Sequence, residues 1–332
     1  MYRHDRSRRV AAATVVVLAL AWTCSADERV ILTPAPGPEP RIGGPAVQGA
    51  RPGRPFVYRV PCTGERPVTF AATGLPAGLH IDPGTGIITG RVPDERGEYR
   101  VTLEATNRHG ATRRSLRIVV GDALALTPPM GWNSWYIHYH RVTDAVMREA
   151  ADQMVASGMA DYGYSYVNID DCWMRIEPEH YEKVKGRLGG FDLSGVIGPT
   201  RDGEGNVVPN DNFPDMLGLT DYIHGKGLRA GIYTSPGPRT CQQYEGSHGH
   251  ERQDAEQYAA WGFDFLKYDW CSYEKVATGE GLDRLQRPYR KMAALLEGLG
   301  RDIVLNLCQY GMGDVWTWGG EVGGHSWRTT GD

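Results

Sequence analysis

Two hydrophobic periods divide the chain. Between Arg54 and Asp122, apolar residues recur at every second position: Phe56, Tyr58 and Val60; then Tyr99, Val101, Leu103 and Ala105; then Leu116, Ile118 and Val120. A period of two sends alternate side chains to one face, so each run predicts a half-buried strand. Between the runs lie Asp82-Pro83-Gly84-Thr85-Gly86 and Asp94-Glu95-Arg96-Gly97. Both suit turns, because Asp bonds its own downstream backbone, Pro fixes φ and Gly accepts positive φ. Short strands between turn clusters predict a small antiparallel β-sandwich. The Pro- and Gly-rich stretch 32–54 before it reads as a linker or a loosely held first strand.

From Leu126 the period changes. Thr143 or Asp144 is placed to cap a helix whose apolar stripe is Val146, Met147, Ala150, Ala151, Met154 and Val155, ending at Gly158. A strand is expected over 164–169, delivering Asp170-Asp171 at its end. A polar loop carrying Gly189-Gly190 and 202–206 follows. Helices are then expected over 214–224, 252–261 and 287–299, the last with Pro288 in its first turn. Strands are expected over 228–233, 263–268 and 303–307. Such alternation requires a parallel sheet with helical crossovers.

A (β/α)8 barrel and a doubly wound sheet both fit. No Gly-rich phosphate loop follows the first strand, as a dinucleotide-binding sheet would need. Strand after strand instead ends in a residue suited to chemistry: Trp135, Asp170-Asp171, Tyr233, Asp269, Gln309 and Asp332. Barrel enzymes assemble their sites from such strand ends. The expected fold class is therefore α/β, a TIM barrel over 123–332 preceded by an all-β sandwich within 27–122.

Composition adds exclusions. The 332 residues suffice for two domains, and 41% hydrophobic with 23% charged residues describes a folded globular chain. Net charge is −4, and no basic stripe lies beyond the extreme N-terminus, which argues against a nucleic-acid partner. Arg3, Arg6, Arg8 and Arg9 precede an apolar run over 10–22, then Cys24-Ser25-Ala26. This pattern predicts a signal peptide over 1–26, too short to span a membrane, and a secreted or periplasmic protein. Lipid attachment at Cys24 is the alternative, to which Trp22 and Thr23 are poorly suited. An oxidising compartment would let Cys62, Cys172, Cys241, Cys271 and Cys308 pair, although five is odd. Nothing in the sequence sets an oligomeric state.

Three segments carry candidate chemistry. Lys267 and Asp269 stand two apart on one strand, so they share a face. A neighbouring ammonium would keep the carboxylate ionised, as a nucleophile requires; a structural ion pair fits the spacing equally. Asp170-Asp171 suits a metal or sugar hydroxyls, while Asp171 alone also suits a helix N-cap. In Trp327-Arg328-Thr329-Thr330-Gly331-Asp332, Arg328 could clamp an oxygen and Asp332 act as an acid. His138 with His140, and His248 with His250, have alternating spacing, but no third His completes a metal set. They are expected to be exposed loop residues.

Read in order, these segments resemble the α-galactosidase family called glycoside hydrolase family 27. The landmarks are Met130-Gly131-Trp132-Asn133-Ser134-Trp135, Ile169-Asp170-Asp171-Cys172-Trp173, Lys226-Gly227-Leu228 with Gly231-Ile232-Tyr233, Thr240-Cys241, Trp261-Gly262-Phe263-Asp264 with Lys267-Tyr268-Asp269, and Ser326-Trp327-Arg328. The resemblance implies a retaining exo-glycosidase acting on galactosides or galactose-bearing oligo- and polysaccharides, without a cofactor. It implies Asp269 as nucleophile and Asp332 as general acid/base. Asp170 and Asp171 would hold the 4- and 6-hydroxyls, Lys267 and Arg328 ring hydroxyls, and Trp135 and Tyr233 would form aromatic walls. Cys241 and Cys271 match a disulfide beside the pocket; Cys172 and Cys308 are expected reduced.

Gln309 stands where many members carry Glu, and would still bond a 2-hydroxyl. That leaves α-N-acetylgalactosaminidase, β-L-arabinopyranosidase and isomaltodextranase activities open. Members continue through two further strand–helix units, so the resemblance implies a barrel C-terminally truncated in this chain. The segments 74–79 and 85–90 resemble immunoglobulin-like modules of secreted bacterial proteins, implying a spacer or docking module. A non-catalytic carbohydrate-binding protein is the competing class.

Overall fold

The computed structural model describes residues 35–187 and 194–331. The expected signal peptide, Cys24, Gly189-Gly190 and Asp332 lie outside the described residues.

The N-terminal strands build the expected sandwich. β1 (Arg41–Ile42) will pair with β4 (Cys62–Thr63). One sheet runs β2 (Val47–Ala50), β9 (Gly110–Val120), β8 (Gly97–Asn107), β5 (Thr69–Thr73); the other runs β3 (Pro55–Arg59), β7 (Ile87–Arg91), β6 (Leu79–Ile81). All neighbours are antiparallel except β2 and β9. The period-two pattern sets the core: Val101, Leu103, Leu116 and Ile118 are fully buried with Phe56, Tyr58, Phe70 and Ile88. The Asp82 turn forms as its chemistry requires, one carboxylate oxygen accepting from Gly84 N, Thr85 N and the Thr85 hydroxyl. β3 departs from alternation, since Val57 is buried as well as Phe56 and Tyr58. Its second face is covered by the other domain.

That domain holds six parallel strands in chain order: β10 (Gly131–Asn133), β11 (Tyr166–Asn168), β12 (Arg229–Thr234), β13 (Phe265–Asp269), β14 (Val304–Cys308) and β15 (Ser326–Trp327). The order never reverses, as it would in a doubly wound sheet. The sheet is a curled half-barrel. α1 (Trp135–His138) follows β10 directly, and α2 (Asp144–Ala156) makes the first crossover, capped by Thr143, whose side chain accepts from Val146 N. α3 (Pro178–Val184) lies in the long excursion after β11. α4 (Met216–Gly225), α5 (Glu251–Ala260) and α6 (Gly281–Glu297) complete the crossovers.

α6 begins at Gly281, six residues before the predicted Arg287, so Pro288 sits inside the helix rather than in its first turn. Pro removes one ladder donor there. Burial of Tyr289, Met292 and Leu296 on the same face offsets that cost.

The sandwich seats on the N-terminal ends of the parallel strands. Leu124, Tyr166, Phe265 and Val304 form a small apolar cluster at that end. Arg229, first in β12, donates to Val57 O, Gln48 Oε1 and the Tyr166 hydroxyl. Arg51 N bonds Asp302 Oδ2 at 2.9 Å, and Arg59 Nη1 reaches Lys226 O. The module expected as a spacer or docking element is docked on the half-barrel itself, leaving the opposite strand ends open.

Candidate active site

At those C-terminal ends lies a pocket of about 330 Å³. Pairing register explains its composition. Tyr233 pairs with Lys267 and Lys267 with Asn306, and Asp269 pairs with Cys308, so neighbouring strands present their inward residues in rows. All five line the pocket, as do Trp135, Asp170, Asp171, Cys241 and Arg328.

Asp269 ends β13 and is buried. Its Oδ1 accepts from the Tyr310 hydroxyl at 2.6 Å and from Trp270 N at 2.7 Å; its Oδ2 accepts from the Tyr233 hydroxyl at 3.0 Å. Burial raises the carboxyl above its ordinary range, while the Lys267 charge and these donors draw it back. The donors match an acceptor-only carboxylate.

Lys267 shares the face of Asp269, as the spacing requires, and its direct partner is Asp170. Nζ bonds Asp170 Oδ2 at 2.7 Å and lies 5.0 Å from the Tyr233 ring centroid. Burial lowers its pKa, but Asp170, Cys308 and Asp269 together outweigh that and hold it above the ordinary value. Asp170 also accepts from Asn133 Nδ2 and Asp171 N, and its own N–H donates to Ser134 Oγ.

Asp171 is not a helix cap. Its Oδ1 accepts from Cys172 N and its Oδ2 from Gln242 N, pinning the segment after β12 against the end of β11. Burial lifts its carboxyl to about 7, opposed by the Thr240 hydroxyl and Gln242 N–H. The Cys241–Cys271 disulfide fastens the same segment to the end of β13. Cys62, Cys172 and Cys308 are buried free thiols.

Gln309 does not reach the pocket. Asn306 and Cys308 face inward, so the residue after Cys308 faces away. Its side chain is buried, with neither amide atom bonded among the described residues. Tyr310 takes the inward place, at a left-handed φ of 64° that turns its phenol onto Asp269. Continuing the alternation from Asn306 and Cys308 would have found it. Asn133, a strand-end residue like those singled out, was also missed.

His140 is buried rather than exposed, its Nδ1 at 3.3 Å from both the Tyr244 hydroxyl and Cys172 Sγ, and burial lowers its pKa. His248 is exposed as expected. Cys241 and Cys271 lie within ligand reach of Asp269, but their sulfurs are bonded to each other. Arg328 packs over the Tyr310 ring and donates to Gly331 O. The site can therefore offer the buried carboxyls of Asp269 and Asp171, a Lys–Asp pair and an arginine to a polyhydroxylated ligand.

The family model described as "Alpha galactosidase A" matches residues 127–190 and 194–317, and the one described as "Putative Ig domain" matches residues 39–121. The chain is 42% identical to an α-galactosidase of Coffea arabica over 67% of its own length and 50% of the relative's. It is 40% identical to α-galactosidase A of Cellvibrio japonicus over 64% and 45% of the two lengths. It thus spans about half the length of the curated relatives it matches. A solved structure from Bacteroides fragilis, provisionally assigned as an α-galactosidase, superposes with a TM-score of 0.78 at 38% identity, over 91% of this chain and 59% of that one. The α-galactosidase I structure from Mortierella vinacea gives 0.54 at 32% identity, over 64% and 48%.

Proposed function

Because the chain belongs to the alpha galactosidase A family, we propose that the full-length protein is an exported exo-acting α-galactosidase. The six-strand wall is then part of a closed (β/α)8 barrel, and terminal α-D-galactosyl groups of oligo- or polysaccharides are its substrates. The observation that carries this reading is Asp269, a buried carboxylate at the pocket floor with three donors on its two oxygens.

In this mechanism Asp170, Asp171, Lys267 and Arg328 orient the sugar hydroxyls. Asp269 attacks C1 as the bond to the leaving oxygen breaks, and that oxygen takes a proton from Asp332, four residues beyond Arg328. Water then gives a proton back to Asp332 and attacks C1, freeing galactose with retained configuration and restoring the Asp269 carboxylate. Retention requires the two carboxyls about 5–5.5 Å apart. No step calls for a cofactor.

The test is a panel of nitrophenyl glycosides on the full-length protein, with Asp269→Ala alongside. Release of nitrophenol is expected from the α-galactoside and lost in Asp269→Ala, with azide restoring part of it as the β-galactosyl azide. Unchanged turnover in Asp269→Ala removes it as nucleophile. Galactose binding without turnover by the wild type would make this a sugar-binding protein instead.

A further inference from the structure

The floor of the pocket is closed and its rim is not. Asp170 and Asp269 are 2% and 4% exposed, whereas Tyr136, lining the same pocket, is 68% exposed. A sugar whose C1 reaches Asp269 must enter by its terminal ring, so whatever is attached at C1 projects toward the rim. Tyr136 stands there on α1, a turn of helix with no buried residue, beside Ile137 and Tyr139, which are also exposed.

This turn is fastened to the sugar-binding floor. Ser134 N donates to Asn168 O, Ser134 Oγ accepts from Asp170 N, and Trp135 N donates to Asn133 Oδ1. Asn133 itself bonds Asp170 Oδ2. At the other end the Arg141 guanidinium donates to Ile137 O and His138 O, and the Trp135 and Tyr139 rings meet edge-on at 5.0 Å. An aromatic at a pocket mouth, on a turn tied through Asn133 and Ser134 to Asp170, suits the C–H face of a pyranose or furanose ring.

Resting on the α-galactosidase reading, we infer that Tyr136 forms a leaving-group subsite, stacking on the sugar ring next to the bond that is cleaved. The preferred substrates are then galactosyl oligosaccharides rather than galactosides of small alcohols.

Two substrates that form the same galactosyl-enzyme isolate the leaving group: a trisaccharide with galactose linked to sucrose, and α-galactosyl fluoride, which sheds one atom. In the full-length protein, Tyr136→Ala is expected to lower the trisaccharide-to-fluoride ratio of kcat/KM about tenfold, with Tyr136→Phe restoring most of it. An unchanged ratio overturns the subsite. Calorimetry in the Asp269→Ala background reads binding without turnover. There Tyr136→Ala should weaken the trisaccharide about tenfold relative to galactose. Equal weakening of both, or a trisaccharide that binds no tighter than galactose, overturns the proposal. If the wild type hydrolyses neither substrate, the α-galactosidase reading falls, and the calorimetry still decides Tyr136.

Discussion

Replacing Arg229 with Met should destabilise both domains together. The guanidinium leaves the start of β12 and enters the sandwich, with Nη2 at 3.2 Å from Val57 O and 3.1 Å from Gln48 Oε1, and Nη1 at 3.0 Å from the Tyr166 hydroxyl. Methionine fills much of the volume but donates nothing, leaving a buried carbonyl, an amide and a hydroxyl short of a partner. Each such loss costs about 1–3 kcal/mol, offset in part because a charge no longer has to be buried, so the net is about 3 kcal/mol. For one cooperative unit spanning Pro36–Asp332 that is a fall in Tm of about 5 °C. The residue distribution supplies the assay. Eight of the nine tryptophans lie from Trp132 onward and none in 36–122, so with the ninth replaced (Trp22→Phe) fluorescence reports only the half-barrel, while far-ultraviolet circular dichroism reports both domains. Coincident transitions are expected in the wild type, displaced together in Arg229→Met. A fluorescence transition that stays in place while the circular dichroism splits would refute the coupling, and a loss below about 1 kcal/mol would refute the role of Arg229.

Two further predictions concern protons. The Tyr310 hydroxyl stabilises the ionised form of Asp269, so Tyr310→Phe should push that carboxyl higher still and move the acid limb of kcat/KM to higher pH. Activity on that limb should fall about tenfold with the plateau much less affected, and an unmoved limb refutes the role. Asp171, lifted by burial to about 7, ionises near 4 in the unfolded chain. Over that interval only the unfolded state gives up its proton, so stability falls as pH rises from about 4 to about 7 and is level above. Asp171→Asn should remove roughly 4 kcal/mol of that slope, read from urea midpoints across the range; an unchanged slope refutes it.

What could be read from the sequence was local. The alternation through Val101–Leu103 and Leu116–Ile118 and the capped stripe of α2 each follow from neighbours within a few residues, and both were found. The site residues at strand ends were legible for the same reason, since period two places Lys267 and Asp269 together. Contacts between distant segments were not. The Val57–Arg229 bond spans 172 residues, so nothing near Val57 signals that its face of β3 is covered. His140 looks like a loop residue until Cys172 and Tyr244 close around it. Alternation past Cys308 turns Gln309 away and Tyr310 inward, but the left-handed φ that brings the Tyr310 phenol onto Asp269 leaves little trace in sequence outside glycine.

The partner of Lys267 changes the electrostatic argument for Asp269. A neighbouring ammonium is the expected means of keeping the nucleophile ionised, and Lys267 supplies that field while bonded directly to Asp170. Two unscreened carboxylates in one small pocket would raise each other's pKa. By neutralising Asp170, Lys267 removes that repulsion, and its remaining field still lowers the Asp269 carboxyl. The oxygens of Asp269 are left to two phenols and one backbone N–H. A carboxylate locked to an ammonium gives up that pairing as its charge is neutralised by the bond to C1, which adds to the barrier rather than lowering it. Neutral donors hold the carboxylate in line with less ground-state stabilisation, so keeping the cation on Asp170 serves the proposed attack better than a direct contact with Asp269 would.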